Sequence, residues 1–455
     1  MLSIARRLAQ GICLALFCAN TVCGQQVDTL SADEMRQAAA NALVSGYSHA
    51  ALTMADALLT RKAVDFTALI IKSQAARNIG QIQEAVNAAR TAWRLADSKP
   101  QKYTAAMALA QALSTDGKRT RAQLWLRRAA DAAPNDATRS VATRDFRYVR
   151  ARNPWSTELR FNITPSNNIN NGSVHESTQL FGLPFEFQLT GDSRALEGIE
   201  YSTGIASRYR LAQTKSSAHD IVTQFSHRTY NLSRDAKALA PNVSGSDFAF
   251  SQIALGYVYH RTPDNGLGPY SINATMGHSW YGGADYFSYV RFGGTQTVLL
   301  GDKARLTLSG SGERAFGFRA PDSDILRTDL RFMHKVGSMG SVSLSMGHSD
   351  SASVTDISDF SELRSGVNFD LAKPVLGANL GFGLQWRQRD YIRSRYDPAG
   401  RHDKEITANI DMVFTQIERY GFNPTLSIHA SRTESNIGLF DSENLGVSLG
   451  IRSAF

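Results

Sequence analysis

Six histidines, His219, His227, His260, His278, His334 and His348, stand among serines and glycines in the C-terminal part of this 455-residue chain. A histidine beside a serine can activate its hydroxyl as a nucleophile, so a Ser/His pair cleaving a lipid ester is the chemistry these residue types allow. Their spacing favours no particular pair. No G-x-S-x-G joins a strand to a helix, and the chain has no H-E-x-x-H, P-loop or dinucleotide fingerprint. Neither an enzyme nor a bound cofactor or metal is therefore expected. The cysteines are Cys13, Cys18 and Cys23, all near the N-terminus. If that segment is removed, disulfides, thiol catalysis and cysteine-ligated metals go with it. A last cluster, Arg387, Arg389, Arg393 and Arg395, could line an anion path or meet lipopolysaccharide phosphates from a solvated loop.

The segment that holds the cysteines has the layout of a secretory signal. Arg6 and Arg7 precede an apolar run from Leu8 to Ala19, and Val22 and Gly24 offer small residues for cleavage, so residues 1–24 are assigned to it. Cys18 and Cys23 also raise lipid attachment, but the residues before each make a poor lipobox. Beyond the signal no stretch of eighteen apolar residues exists, which excludes a helical membrane protein and leaves a β-barrel open, since barrel strands are only half apolar. The net charge of +8 is spread over both halves without a basic block interleaved with aromatics, so no nucleic-acid partner is expected.

Composition changes near residue 150. Residues 31–150 are rich in Ala, Leu, Arg and Gln with apolar residues at helical spacing, whereas 155–455 turn to Gly, Ser, Thr, Tyr and Phe with period-two alternation. The helical part repeats. Gly46, Ala51 and Ala55 recur 34 residues later as Gly80, Ala85 and Ala89, and a third unit places Gly117, Ala122, Leu126, Ala129 and Pro134 at matching offsets after a three-residue slip. A period of this length, with Gly at the turn and small residues where paired helices cross, resembles the tetratricopeptide repeat. A plain helical bundle is the alternative. Either scaffold would hold a peptide or protein on a concave face and do no chemistry.

The C-terminal part ends on a strand. Leu445, Val447, Leu449, Ile451 and Phe455 share one parity, and Gly446, Ser448, Gly450, Arg452 and Ala454 the other. Alone it could close a soluble sheet. Together with Leu449, Ile451 and Phe455, however, it resembles the terminal strand that delivers outer-membrane barrels to their assembly machinery. Further alternating runs include Ile199–Leu211, Ile253–Tyr259, Tyr270–Trp280 and Leu376–Trp386. Short turns at 301–303, 338–340, 373–375 and 419–421 fall on one side of the sheet, and longer loops at 234–247, 320–324, 348–359, 392–402 and 433–442 on the other, as in membrane barrels. Fifteen runs alternate if Glu158–Ile163 is counted. A single-chain barrel should have an even number, so one early run is set aside and fourteen strands are expected, beginning near Gln179. Aromatics such as Trp280, Tyr281, Tyr286, Phe287 and Tyr289 suit interfacial girdles, and Arg208, Arg210, Gln385, Arg387 and Arg389 take the lumenal parity. The expected architecture is multidomain: N-terminal all-α tetratricopeptide-like repeats, then an antiparallel transmembrane β-barrel of about 14 strands.

Between the two parts lies an Asn-rich stretch, Phe161 to Ser173, in which Pro165 should stop the ladder and Asn167, Asn168 and Asn170 around Ile169 should turn the chain. This P-x-N-N-I-N stretch at the start of a barrel that follows helical repeats resembles the surface lipoprotein assembly modulator family. The resemblance implies an outer-membrane translocon, with periplasmic repeats that recruit a cargo lipoprotein or other polypeptide and a barrel that moves or displays it at the cell surface without nucleotide hydrolysis. Outer-membrane lipid, lipopolysaccharide and the barrel-assembly machinery would be its other partners. An exporter of exopolysaccharide built from the same two parts is the alternative, and a passive porin or adhesin would leave the helices without a role.

Overall fold

The computed structural model describes residues 30–264, 266–417, 419 and 421–453. The segment read as a secretory signal, with its cysteines, and Phe455 lie outside the described residues. Seven helices come first: α1 (Ala32–Val44), α2 (Ser48–Arg61), α3 (Phe66–Asn78), α4 (Ile82–Leu95), α5 (Lys99–Thr115), α6 (Arg119–Ala132) and α7 (Asp136–Arg152). Side-chain caps set several of the starts. Ser31 and Glu34 form a reciprocal capping box on α1, the Asp65 carboxylate accepts the Ala68 N–H at 3.0 Å, and the Asn135 side chain accepts the Thr138 N–H at 2.9 Å. Pro134, exposed just before that last cap, keeps Ala133 extended and so ends α6.

The three repeat glycines occupy equivalent turns. Gly46, Gly80 and Gly117 have φ of +86°, +86° and +74°. In each turn the next residue donates back across the helix end: Tyr47 N–H to the Ala42 carbonyl at 2.8 Å, Gln81 to Ala76 at 2.8 Å, and Lys118 to Leu113 at 2.9 Å. Ala51, Ala55, Ala85, Ala89, Ala122 and Ala129 are all fully buried on the second helix of each pair. A further small position, seven residues before each glycine, carries Ala39, Ser73 and Ala110. All three are buried, and the Ser73 hydroxyl donates to the Ala85 carbonyl at 2.9 Å. The chain divides into two compact units, one through Leu95 and one from Ala96. Helices α5–α7 therefore belong to the unit that holds the barrel, although the helix-to-strand boundary itself falls between Arg152 and Trp155.

The barrel ring is β1 (Trp155–Ser166), β4 (Gly198–Gln213), β5 (Ser217–Leu232), β6 (Phe250–Arg261), β7 (Tyr270–Tyr281), β8 (Ala284–Leu300), β9 (Ala304–Gly317), β10 (Ser323–Val336), β11 (Gly340–Ser353), β12 (Phe360–Leu371), β13 (Asn379–Tyr391), β14 (Arg401–Val413), β15 (Phe422–Ser435) and β16 (Ser442–Ser453). Each strand pairs antiparallel with its neighbours, and β1 closes on β16. Two short strands, β2 (Ser177–Gln179) and β3 (Glu186–Gln188), pair only with each other. The fourteen-strand count thus stands, but its starting point is corrected. The run set aside, Glu158–Ile163, is the core of the first barrel strand, and the segment near Gln179 is outside the ring. Three residues of strand reach only about 10 Å, too short to cross a bilayer, whereas β1 pairs with β4 along its whole length.

The rim carrying Trp155 and Ser453 is called near and the opposite one far. All the turns and loops singled out by sequence fall on the expected rims, yet length does not separate the rims cleanly. The two-residue turn Gly282–Gly283 is on the far rim, while near connections 262–269, 372–378 and 414–421 are longer than a tight turn. Leu376, read as the start of a strand, sits in one of these connections with φ +51°. Outward residues pair across the strands as an apolar belt, with Phe161 opposite Ile451, Ile163 opposite both Tyr201 and Leu449, and Val367 opposite Leu384. Ile163 is 50% exposed, Leu384 49% and Leu449 61%. A closed ring with its apolar side chains outside and polar ones inside suits a hydrocarbon surround and would be unstable in water. The chain is thus a transmembrane barrel of outer-membrane type, and among the described residues no helix is long and apolar enough to cross a membrane.

Candidate functional site

The lumenal wall from β8 to β14 is a ladder of opposite charges. Glu313 on β9 accepts from Arg291 Nε at 2.6 Å and pairs with Arg327 at 3.4 Å. Glu362 on β12 accepts from Arg389 Nε at 2.7 Å and pairs with Arg364 at 3.4 Å, while Arg364 also reaches Asp329 at 2.9 Å. Arg387 bridges Glu362 and Glu405. The Glu313 and Glu362 side chains are only 5% and 3% exposed, and paired arginines offset the cost of burying a carboxylate. These residues meet because strand register puts them in contact: Arg291 lies opposite Glu313, Glu362 opposite Arg389, and Arg387 opposite Glu405. Alternation in the sequence selects the lumenal parity, and pairing between strands supplies the partner. The facing wall on β15, β16 and β1 is mostly small and polar, with Thr425, Ser427, His429, Ser431, Gly446, Ser448, Gly450 and Asn162 on the inward parity, and carries Glu158, Arg160 and Arg452 toward the near rim.

The arginine cluster read from the sequence is divided by the structure. Arg387 and Arg389 take the lumenal parity and are neutralised by carboxylates, whereas Arg393 lies in the 392–400 loop and pairs with Asp356 at 3.1 Å. Arg208 and Arg210 are also on the lumenal parity, and Arg210 pairs with the buried Asp220. Phe287 and Tyr289, expected in a girdle, instead take the lumenal parity of β8, with Tyr289 against Gly277, Ala254 and Ala315. A side chain at Gly277 would strike its ring.

The Asn-rich stretch forms a clasp at the far end of the β1–β16 seam. Pro165 does not end β1, since it pairs with Ile199 of β4, but the ladder to β16 runs only over Arg160–Ile163 and resumes at Ser166. Side chains take over from there. Asn167 Oδ1 accepts the Leu445 N–H at 2.7 Å, Asn444 Nδ2 donates to the Asn168 carbonyl at 2.7 Å, and Asn168 Nδ2 donates to the Glu443 carbonyl at 3.2 Å. Asn168, buried, also holds the Gly172 N–H and carbonyl at 3.0 and 2.9 Å. Asn170 Nδ2 donates to the Asp192 and Arg194 carbonyls, and its Oδ1 accepts the Leu196 N–H at 2.9 Å. Ile169 packs with Leu196, Tyr230, Leu232 and Ala236, the last on a short helix α8 (Arg234–Leu239). The 167–197 segment thereby ties the β5–β6 loop on one side to Tyr396 and Gly438 on the other, through Phe181 N–H to the Tyr396 carbonyl at 2.7 Å and Ser173 Oγ to the Gly438 carbonyl at 2.8 Å.

At the near rim, α6 and α7 lie against the barrel. Asn153 Nδ2 donates to Thr120 Oγ1 at 3.0 Å, its Oδ1 accepts the Trp155 N–H at 3.2 Å, and the Pro154 carbonyl accepts the Arg210 N–H at 2.8 Å. Further along α6, Asp131 pairs with Arg419 at 3.6 Å and Arg127 sits 5.8 Å from the Phe422 ring.

One histidine does meet both a serine and a carboxylate: His278 Nδ1 lies 2.7 Å from Ser288 Oγ and Nε2 3.0 Å from Asp285 Oδ1. The three sit on the outward parity of β7 and β8, beside the register shift between Ser279 and Trp280. His227 meets Ser251, and His219 meets Tyr257 and Tyr259. Among the described residues, no three His, Cys, Asp or Glu side chains are grouped to hold a metal ion.

No family model matches the chain, and no curated protein matches it either. Among solved structures, the barrel is similar to Pseudomonas aeruginosa OccK7 (OpdD), at 10% identity over 66% of this chain and 98% of that one, TM-score 0.34. It is also similar to the COG4313 outer membrane channel from Pseudomonas putida F1, at 12% identity over 66% and 95%, TM-score 0.33. Part of the chain, 28%, is similar to 90% of the Yersinia enterocolitica type III secretion translocator chaperone SycD, at 16% identity and TM-score 0.25. At such scores the likenesses carry no argument, and the assignment of the fold rests on strand pairing.

Proposed function

We propose that this outer-membrane barrel is a conduit that moves or displays a lipoprotein or another polypeptide at the cell surface, with its tetratricopeptide-like helices recruiting the cargo on the periplasmic side. The observation that carries this reading is the lumenal charge ladder through Arg291, Glu313, Arg327, Glu362, Arg387 and Glu405. A wall of paired, alternating charges offers many weak contacts to a polypeptide of mixed charge and no single tight one, as passage requires. A sugar path would instead be expected to carry stacking aromatics along its length. Here the lumenal aromatics, among them Tyr230, Phe250, Phe287, Tyr289, Phe360 and Tyr391, stand toward the far end of their strands. The repeat turns at Gly46, Gly80 and Gly117, with their buried alanines, give a scaffold suited to gripping an extended chain. Leu449 and Ile451, outward on the last strand, are where the assembly machinery would read it.

The test is deletion of the gene followed by protease shaving of intact cells. Loss of one or more palmitate-labelled lipoproteins from the shaved fraction, with capsule or exopolysaccharide unchanged, is the expected result. Loss of polysaccharide with surface lipoproteins intact would overturn the reading in favour of sugar export.

A further inference from the structure

The net positive charge of the chain is not spread over both halves, as composition alone suggested. Residues 116–152 hold ten basic and four acidic residues, and together with Arg6 and Arg7 of the signal they account for the whole net charge of +8. The excess sits on α6 and α7, which run antiparallel: Asn153 at the end of α7 meets Thr120 at the start of α6, and Arg127 sits 5.3 Å from the Phe146 ring near their middles. This arrangement brings Arg119 and Arg121 to the same end as Arg147, Arg150 and Arg152. Among the described residues none of these five has a carboxylate within salt-bridge distance, and Arg152 lies 3.6 Å over the ring of the exposed Tyr148. The carboxylates of the hairpin are placed elsewhere. Asp116 pairs with Lys118 at 2.7 Å, Asp131 with Arg419, and Asp145 lies 4.0 Å from Arg144, while Asp136 is in the first turn of α7.

The cationic end is also at membrane height. Three residues after Arg152 comes Trp155, outward, 47% exposed and edge-on to Tyr209 at 5.6 Å, with Tyr257 and Tyr259 nearby on the same rim: an interfacial aromatic cluster. At the other end of α6, Arg127 approaches Phe422, which has the outward parity of β15. Contacts from β1 round to β15 therefore hold α6 along the outer edge of the near rim. Unpaired arginines beside an interfacial tryptophan, on a helix lying along the rim, match the phosphates of a bilayer surface better than a polypeptide entering the lumen.

We propose that the α6–α7 hairpin is a lipid-binding surface, in which Arg119, Arg121, Arg147, Arg150 and Arg152 hold the phosphate headgroups of anionic phospholipids in the leaflet on the helical side of the barrel. The site seats α6 and α7 on the membrane beside the pore mouth. It does not depend on what the pore carries.

The test uses the full-length protein in liposomes of phosphatidylcholine alone and with phosphatidylglycerol added, read by hydrogen exchange. Amides of residues 119–152 should exchange several-fold more slowly with phosphatidylglycerol, and the barrel strands should not change. High salt, or replacing all five arginines with Gln, should remove the difference, while five Lys replacements should largely keep it. Heat-modifiable gel mobility verifies that each variant inserts as a folded barrel. Equal exchange in the two lipids would overturn the proposal. So would protection by polyglutamate in pure phosphatidylcholine with none from phosphatidylglycerol, which would make the surface a dock for acidic polypeptide.

Discussion

Asn168 is buried and spends its side chain on three backbone groups: the N–H and carbonyl of Gly172, and the carbonyl of Glu443 across the seam. Asn168→Ala should leave those groups without partners and cost about 3 kcal/mol. The expected outcome is a lower temperature for conversion of the folded to the unfolded gel band, with tryptic cleavage newly apparent at Arg194. An unchanged melting temperature would mean the seam does not rely on the clasp. Asp65 makes a second prediction. Burial works to raise its carboxyl, but the Arg36 guanidinium, the Ala68 N–H and the charges of Arg36 and Lys62 outweigh burial and hold it below its ordinary value of 3.8. A carboxylate lowered on folding stabilises the fold fully above the unfolded value, and that stability is lost as pH falls through the folded one. Helix content followed by circular dichroism should therefore melt at lower temperature as pH drops below 3.8. Asp65→Asn, which still caps α3, should flatten that dependence.

At the scale of elements, the repeat turns are the sharpest case. A Cβ at Gly80 would meet nothing within 4 Å, so the cost of replacing it is conformational alone. Gly80→Val, forced to φ near +86°, should lose roughly 1–2 kcal/mol, and Gly80→Asn, which tolerates that region, clearly less. Thermal unfolding of the helices checks the order, and equal losses would place the penalty in packing. These turns were legible because a left-handed helix end restricts residue type. The small position at Ala39, Ser73 and Ala110 was missed because Ser73 hides among polar residues until the helices are paired. Strand parity was equally legible. The first barrel strand was not, because Glu158–Ile163 and the run near Gln179 both alternate, and only closure onto β16 decides which one spans.

For the whole molecule, orientation is the open physical choice, and the two rims make it testable. The three cysteines, Cys13, Cys18 and Cys23, all fall in the N-terminal segment read as a signal, so with those three replaced by Ser a single new thiol can be labelled cleanly. Ser394→Cys, in the 392–400 far loop, should react with a membrane-impermeant maleimide on intact cells, and Thr262→Cys, in the 262–269 near connection, only after the outer membrane is permeabilised. The reverse pattern would invert the barrel and move the helices outside. The sequence by itself determined a great deal: helices followed by an antiparallel barrel and, for most strands, which parity faces lipid. All of these follow from local periodicity, since side-chain direction along a helix or strand is set by neighbours a few residues away. Only the tertiary structure decided that Glu313 and Glu362 bury their charges against arginines from adjacent strands, that the Asn-rich stretch is a clasp on the far rim, and that the cationic ends of α6 and α7 coincide at the near rim. Those pairings join residues tens to hundreds of positions apart, and register and ring closure bring them together, which periodicity along the chain cannot specify.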